Sequence, residues 1–211
     1  MARGKTVVAM LALSITLMAG HAFGAGADVG QKPVQFASAE PEFSTTLPPI
    51  GYVAFCARGE EECKFEGKVE KLKLTGDNWD QIRQVNSYVN NSIRPATDME
   101  IYGVAEMWTY PVDAGDCEDF ALLKKRYLTG LGISPDELLM TVLLDEKGDG
   151  HAVLTITTDQ GDLILDNRRN EVLRWDQTGY KFLKRQSQQD PKKWVSLQKN
   201  TTQVLVGSKA N

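Results

Sequence analysis

Apolar residues in the middle of the chain follow two helical repeats. The first repeat consists of Trp79, Ile82, Val85, Val89 and Ile93. Spacings of three and four residues are typical of one helix face, and we expect this helix to begin at an Asp77 N-cap and to stop at Pro95. The second repeat, Asp116–Leu128, carries Cys117 in its first turn. The pattern predicts two amphipathic helices joined by an aromatic loop over residues 96–115.

Beyond the second helix, the apolar residues form short runs that are rich in β-branched side chains. The predicted strands are Leu138–Leu144, Ala152–Thr157, Leu163–Leu165, Tyr180–Arg185 and Trp194–Leu197. Helices followed by an antiparallel sheet indicate one α+β domain, which we place at residues 50–197. Residues 25–49 are rich in proline and are predicted to be extended, and residues 198–211 are predicted to form a loose C-terminal tail.

The N-terminus has the pattern of a secretory signal peptide. Arg3 and Lys5 precede the uncharged stretch Thr6–Ala19, and small residues around Ala22–Ala25 offer a cleavage site. We expect residues 1–24 to be removed on export to an oxidising compartment such as the bacterial periplasm. An uncleaved anchor is the alternative, although a membrane span needs about 20 apolar residues. No membrane span is predicted in the mature chain.

The charge of the chain argues against nucleic acid as a partner. The 211 residues include 24 Lys and Arg against 28 Asp and Glu, a formal net charge of −4. Proteins that bind nucleic acid through phosphate contacts need clustered positive charge. The 42% hydrophobic and 25% charged residues are typical of a globular protein and exclude a disordered or collagen-like chain.

The three cysteines are predicted to form one disulfide and one free thiol. Cys56 and Cys63 are close in sequence with Gly59 between them, and we expect them to pair. A zinc site that also uses Cys117 and His151 is the alternative, but the spacing differs from that of zinc motifs. Cys117 is then unpaired at a helix start, where the helix dipole favours the reactive thiolate. A buried structural thiol is the other interpretation of this residue.

A histidine and an aspartate complete a candidate catalytic set with the free thiol. Because His21 lies in the predicted signal peptide, His151 is the one histidine of the mature chain. A hairpin with its turn in the polar segment 157–162 would place Asp166 directly opposite His151, where its carboxylate can orient the imidazole. Asp162 is the rival candidate if a bulge shifts the register. A surface histidine and a turn aspartate without catalytic roles are the alternative.

Three ordered motifs resemble the bacterial transglutaminase-like cysteine peptidases. These motifs are Gly115–Lys124, Gly150–Leu154 and Gly161–Asn167, and the upstream segments 93–98 and 102–108 and the downstream segment 185–187 are also similar. The resemblance covers roughly residues 50–197. It implies a papain-like or transglutaminase-like α+β core, in which a cysteine at a helix N-terminus packs on an antiparallel sheet that carries the histidine and the aspartate. It also implies that Cys117 is the nucleophile, His151 the general base and acid, and Asp166 the residue that orients it.

The same resemblance implies a calcium ion and particular partners. Asp116 and Glu118 are the ligands that it indicates, and we add Asp119 as a third candidate. Carboxylates beside a cysteine raise its pKa, and a bound cation offsets that effect. Capping of the helix by these acids is the alternative. Some family members cut a large surface adhesin and are held inactive by an inner-membrane receptor for cyclic di-GMP, so a protein substrate of this kind and such a receptor are the expected partners.

The sequence therefore predicts an exported cysteine endopeptidase with a thioester intermediate. An amidase or transglutaminase that transfers the acyl group to an amine is one alternative, and a catalytically idle interaction module is another. Incorporation of a labelled amine distinguishes the first, and failure of Cys117 to react with an alkylating agent favours the second. The Cys117 N–H is the first expected donor of an oxyanion hole, and Trp108 and Tyr110 are candidates for the second.

Overall fold

The computed structural model describes residues 39–59, 61–67 and 69–199. The predicted signal peptide and all but the first two residues of the predicted C-terminal tail lie outside these ranges. Of the predicted extended segment, residues 39–49 are described, and they contain a short strand, β1 (Ser44–Thr46). Among the described residues, no helix has the length and apolar character that a membrane crossing requires.

In the described part of the chain, four α-helices lie between residues 50 and 130. They are α1 (Ile50–Ala57), α2 (Gly76–Ser92), α3 (Asp98–Tyr102) and α4 (Cys117–Gly130). The two helices predicted from apolar spacing are α2 and α4. The predicted Asp77 N-cap is wrong, because Thr75 caps α2 instead. The Thr75 hydroxyl accepts the Asn78 N–H at 3.3 Å while the Asn78 side chain accepts the Thr75 N–H at 2.8 Å, which satisfies two otherwise unpaired donors.

The segment predicted as an aromatic loop contains one helical turn and one strand of a small parallel pair, whose other strand directly precedes the segment. The turn is α3, which begins after a capping box of Thr97 and Glu100 and ends at Gly103 with a φ of 71°. The pair consists of β2 (Arg94–Pro95) and β3 (Ala114–Gly115). A five-residue helix has too few apolar repeats for its period to be visible in the sequence, so the pattern did not predict α3.

Six further strands form the main sheet with β1. They are β4 (Leu138–Leu144), β5 (Gly150–Ile156), β6 (Leu163–Leu165), β7 (Leu173–Arg174), β8 (Lys181–Ser187) and β9 (Asp190–Ser196). The order in the sheet is β1-β9-β8-β4-β5-β6-β7, and every described pairing in it is antiparallel. The predicted α+β class is therefore confirmed.

The larger hydrophobic core lies between the helices and one face of the sheet. Phe120 and Leu122 of α4 belong to the same buried cluster as Met140 of β4 and Leu154 of β5. Strand residues alternate between faces, and Val153 belongs to a smaller cluster on the opposite face. Burial on both faces explains why β4 and β5 are almost continuously apolar in sequence.

The register of the β5–β6 hairpin differs from the prediction. Leu154 lies opposite Leu165, so the ladder continued by one pair would set Asp166 against Val153. The prediction that Asp166 lies directly opposite His151 is therefore wrong. The turn is centred one residue later than expected, and this moves the register by two residues. A shift of two keeps each side chain on its original face, so Asp166 and His151 are diagonal neighbours on the same side of the sheet.

The predicted disulfide is present. Cys56, near the end of α1, is bonded to Cys63 in a short 3₁₀ turn. Cys63 is buried and Cys56 packs against the same core. The disulfide thus fixes the end of α1 to the following turn, and it leaves Cys117 as the free cysteine.

Candidate active site

Cys117 is the first residue of α4, and a glycine lets the preceding strand approach that helix. Asp116 occupies the N-cap position before it. A Cβ atom on Gly115 would lie 2.8 Å from the Cβ of Asp119 in the first helical turn, which is closer than side chains pack. Glycine at this position therefore allows β3 to run directly into the start of α4.

The Cys117 sulfur lies between a backbone donor and a carboxylate. The Ala152 N–H donates to it at 3.3 Å, and the thiol donates to Glu118 Oε2 at 3.1 Å. Burial and the carboxylates of Glu118 and Asp116 raise the pKa of the thiol well above its usual value, and the Ala152 N–H acts in the opposite direction. Because Ala152 follows His151 in β5, this contact sets the thiol beside the histidine, and both line one small cavity.

His151 and Asp166 form a buried hydrogen-bonded pair. His151 Nε2 lies 2.9 Å from Asp166 Oδ1, and both side chains are almost inaccessible to solvent. The other imidazole nitrogen, Nδ1, has no hydrogen-bond partner among the described residues. Asp166 also accepts the Arg168 N–H and the Tyr180 hydroxyl, and Arg169 Nε lies 3.5 Å from it. Burial alone would raise the pKa of Asp166, but its bonds to His151 and Tyr180 hold that pKa well below its usual range.

The rival aspartate, Asp162, belongs to a different network. Its Oδ2 accepts Arg185 Nη1 at 2.8 Å and the Glu40 N–H at 3.0 Å. These contacts tie the N-terminal segment to the sheet. The structure therefore places Asp166 next to His151, whereas Asp162 pairs with Arg185.

Carboxylates cluster on the other side of the nucleophile. Asp98, Asp116 and Glu118 each contribute an oxygen to a group in which the atoms lie within 4.8 Å of one another. Asp119, the third predicted ligand, is outside this group, and its Oδ1 accepts the Thr109 N–H at 2.9 Å. Asp98 was not predicted from the sequence. Its distance from Asp116 along the chain gives no spacing signal, because α3 and the β2–β3 pair create the contact.

Without a counter-charge, ionisation of this cluster and of the neighbouring Asp119 is unfavourable. The pKa of Asp116 is raised to about 6 and that of Asp119 to about 8. In both cases burial is the largest cause, and neighbouring carboxylates raise the pKa further. The pKa values of Asp98 and Glu118 are raised by the same two causes. A cluster of buried acids that resist ionisation requires protons or a cation.

A cleft of about 380 Å³ leads to Cys117. Its lining includes the segment 95–100, Asp116 and Cys117 at the start of α4, and Asn167 and Arg168 after β6. The candidate oxyanion donor Trp108 does not serve this cleft, because its indole N–H donates to Glu106 Oε1 at 2.6 Å and its side chain is buried.

Comparison with known proteins assigns the chain to a family. The model of the bacterial transglutaminase-like cysteine proteinases matches residues 42–202. The chain belongs to this family. The predicted family and its class of enzyme, cysteine peptidase, are confirmed at that level, and the transglutaminase-like α+β core fits the observed architecture.

LapG of Legionella pneumophila is a solved structure that resembles this family member. It is 30% identical over 51% of this chain and 64% of that chain, with a TM-score of 0.44. An EGTA-treated LapG structure gives the same identity and TM-score over 62% of that chain. A calcium-bound LapG is 29% identical over 54% of this chain and 66% of that chain, with a TM-score of 0.45. The present chain thus spans just under two thirds of LapG. Among curated proteins, none matches it.

The acidic cluster of this family member fits a calcium ion. Each of Asp98, Asp116, Glu118 and Asp119 has one buried carboxylate oxygen without a hydrogen-bond partner in the described part of the chain. Calcium takes six to eight oxygen ligands and tolerates irregular geometry. Helix capping does not account for Asp116, because its side chain makes no capping hydrogen bond.

Tyr180 and Arg169 are further site residues that the sequence did not reveal. From the sequence, Tyr180 was assigned only to the start of a predicted strand, and Arg169 was given no role. Arg169 Nη2 donates to the Tyr180 hydroxyl at 2.7 Å, and its guanidinium lies 4.9 Å from the centre of the tyrosine ring. These contacts join residues on either side of β7, eleven positions apart in sequence, which no local pattern records.

Proposed function

We propose that this chain is an exported cysteine endopeptidase whose catalytic residues are Cys117, His151 and Asp166. The observation that carries the proposal is the buried His151–Asp166 pair beside the free thiol. His151 Nε2 is directed to Asp166, which leaves Nδ1 as the nitrogen available to Cys117. A nucleophile, a base and a group that orients the base are the parts that acyl transfer requires.

The proposed reaction proceeds in two steps. His151 accepts the thiol proton of Cys117, and the sulfur attacks the carbonyl carbon of the substrate peptide bond. The C–N bond then breaks, His151 gives the proton to the leaving amine, and a thioester remains on the sulfur. In the second step water attacks the thioester, His151 takes a proton from the water and returns it to the sulfur, and the new carboxylic acid is released. Asp166 stabilises the imidazolium in both steps.

The proposal includes a calcium ion held by Asp98, Asp116 and Glu118, with Asp119 as a supporting carboxylate. The unpartnered oxygens of these residues and the existence of a calcium-bound LapG structure support it. When bound, the ion would supply positive charge that offsets the carboxylates beside the thiol.

Location and partners are also parts of the proposal. Periplasmic export is supported by the signal-peptide pattern of residues 1–24. The resemblance of the sequence motifs supports a surface adhesin as the protein substrate and a cyclic-di-GMP receptor of the inner membrane as the regulator.

The decisive experiment compares cell-surface and secreted proteins of a wild-type strain with those of a Cys117→Ala strain. We expect new protein N-termini, detected by mass spectrometry, in the wild type alone. Iodoacetamide should label Cys117 in the mature protein. Incorporation of a labelled amine without any cleavage would favour the acyl transferase. An unreactive Cys117 together with identical protein profiles would favour the idle interaction module.

The calcium part has its own test. Calorimetry on the mature protein should show calcium binding that Asp98→Asn abolishes and that Asp80→Asn, at an exposed site on α2, leaves intact. EGTA should remove cleavage reversibly, and magnesium should restore little because it requires tight octahedral geometry. Absence of calcium binding by calorimetry would contradict the metal site but not the peptidase.

A further inference from the structure

The cleft beside Cys117 has a single cationic side chain in its described lining. Four charged residues line it, namely Asp98, Glu100, Asp116 and Arg168. Asp98 and Asp116 belong to the acidic cluster, and Glu100 Oε2 accepts the Thr97 N–H at 2.8 Å in the α3 capping box. The three carboxylates therefore already have partners or a shared task, and Arg168 is the cation of this lining.

Arg168 is held in place from both its side chain and its backbone. Its Nη1 lies 2.5 Å from Asp145 Oδ2, and its N–H donates to Asp166 Oδ1 at 2.9 Å. Asp145 is itself fixed, because its Oδ1 accepts the N–H groups of Lys147 and Asp149 at 2.9 Å each. A guanidinium anchored in this way loses little conformational entropy when it binds a ligand.

Most of the hydrogen-bonding capacity of Arg168 is unused. A guanidinium has five N–H donors, and the Arg168 side chain bonds only to Asp145 among the described residues. Its side chain is 37% exposed, and the residue lines the cleft. A planar fork of this kind matches the geometry of a carboxylate.

We propose that Arg168 is a specificity-determining residue that binds an aspartate or glutamate side chain of the protein substrate next to the scissile peptide bond. This inference rests on the proposed peptidase function. The chain as a whole is acidic, with a net charge of −4, and Asp98 and Asp116 of the acidic cluster line the cleft. A substrate carboxylate would therefore be repelled from most of this surface, and Arg168 directs it to one position.

The test uses synthetic peptides that span the cleavage site identified in wild-type cells. Each flanking position is made Asp, Asn or Lys in turn, and kcat/KM is measured with the mature enzyme. We expect Asp to exceed Asn by about tenfold or more at one position, as for hydrogen bonds to a charged group. Arg168→Gln should abolish this preference while Asn peptides keep rates within about twofold. Arg168→Glu should favour Lys at the same position.

Matched variants separate recognition from folding. Arg174→Gln removes an equally exposed arginine that pairs with Asp176 outside the cleft, and the Asp preference should persist in it. Arg168→Lys keeps the charge without the fork and should retain part of the preference. Equal wild-type rates for Asp and Asn at every position, or equal slowing of both peptides by Arg168→Gln, would overturn the proposal. A wild-type enzyme that cleaves no peptide and no cellular protein contradicts the proposed function itself.

Discussion

Tyr180 is the residue that links the two members of the proposed catalytic pair. Its hydroxyl donates to Asp166 Oδ2 at 2.5 Å, and its ring meets the His151 ring edge-on with centroids 6.0 Å apart. Burial and the charge of Asp166 raise the pKa of Tyr180 above its usual value. The hydroxyl therefore remains a donor across the physiological pH range and holds the carboxylate in the orientation that faces the histidine.

Replacement of Tyr180 by phenylalanine tests this positioning. Tyr180→Phe keeps the ring contact and removes one hydrogen bond to a buried carboxylate. We expect kcat to fall about tenfold with little change in KM, because the bond acts through Asp166 and not on substrate. Tyr127→Phe, which alters a half-exposed tyrosine on α4, is the control and should retain full activity. An equal loss in both variants, or an unchanged kcat in Tyr180→Phe, would show that Tyr180 does not position the pair.

At the scale of elements, α2 supports the segment that follows β6. Asn90 Nδ2 donates to the carbonyl oxygens of Asp166 and Arg169 at 2.9 Å each. One turn earlier, Asn86 Nδ2 donates to the carbonyl oxygens of Arg169 and Asn170 at 3.1 and 3.0 Å. Residues four apart on a helix lie on the same face. One face of α2 therefore holds the backbone of residues 166–170, which includes Asp166.

Removal of the Asn90 amide should loosen that segment selectively. We expect Asn90→Ala to lower the free energy of unfolding by roughly 1–3 kcal/mol, because the Asp166 carbonyl loses the Asn90 donor and the Arg169 carbonyl keeps only that of Asn86. The variant should also speed amide hydrogen exchange at residues 166–170. Asn91→Ala, which loses only bonds to Ser87 within its own helix, is the matched control. Equal exchange rates in the two variants would contradict a role for α2 in holding the segment.

The elements that the sequence predicted well are those whose signal is local. Apolar spacing is sufficient for long elements such as α2 and β4, because one buried face imposes the period over several turns or pairs. The register of β5 and β6 depends on where the turn tightens, and a small change there moves Asp166 by two positions. Lys125 shows a second limit. Lysine is mostly exposed in folded proteins, yet Lys125 is buried and donates to the Leu138 carbonyl at 2.6 Å.

In the candidate site too, the sequence indicates residues with a local signal and misses those that only tertiary contacts bring together. Cys117 and His151 could be singled out because each is chemically distinctive and sits at the start of a predicted element. Asp98 could not, since only the folding of the 96–115 segment brings it to Asp116. Contacts of this kind are set by tertiary packing, and a single sequence contains no spacing that records them.

At the scale of the whole molecule, ion pairs between one arginine and several carboxylates connect the N-terminal segment to the sheet. Arg185 of β8 pairs with Asp162 at 2.8 Å and Glu42 at 2.7 Å, and lies 3.8 Å from Glu40. One cation therefore faces three carboxylates. Burial is the main cause that raises the pKa of Glu40 from 4.5 to about 8, with Asp162 and Glu42 adding to the rise and Arg185 opposing it.

This arrangement predicts a stability that falls as the pH rises. The folded protein keeps the Glu40 proton up to a pH of about 8, whereas the unfolded chain releases it near 4.5, so the folded state binds more protons between these values. The contribution is fully present below pH 4.5 and is lost as the pH rises through 8. Glu40→Gln replaces the carboxyl with a neutral amide of similar shape and should flatten this dependence, so that the variant gains roughly 1–3 kcal/mol on the wild type between pH 5 and pH 8.5. Urea unfolding at both pH values measures the difference, and parallel pH profiles for the two proteins would show that Glu40 is already ionised in the folded state.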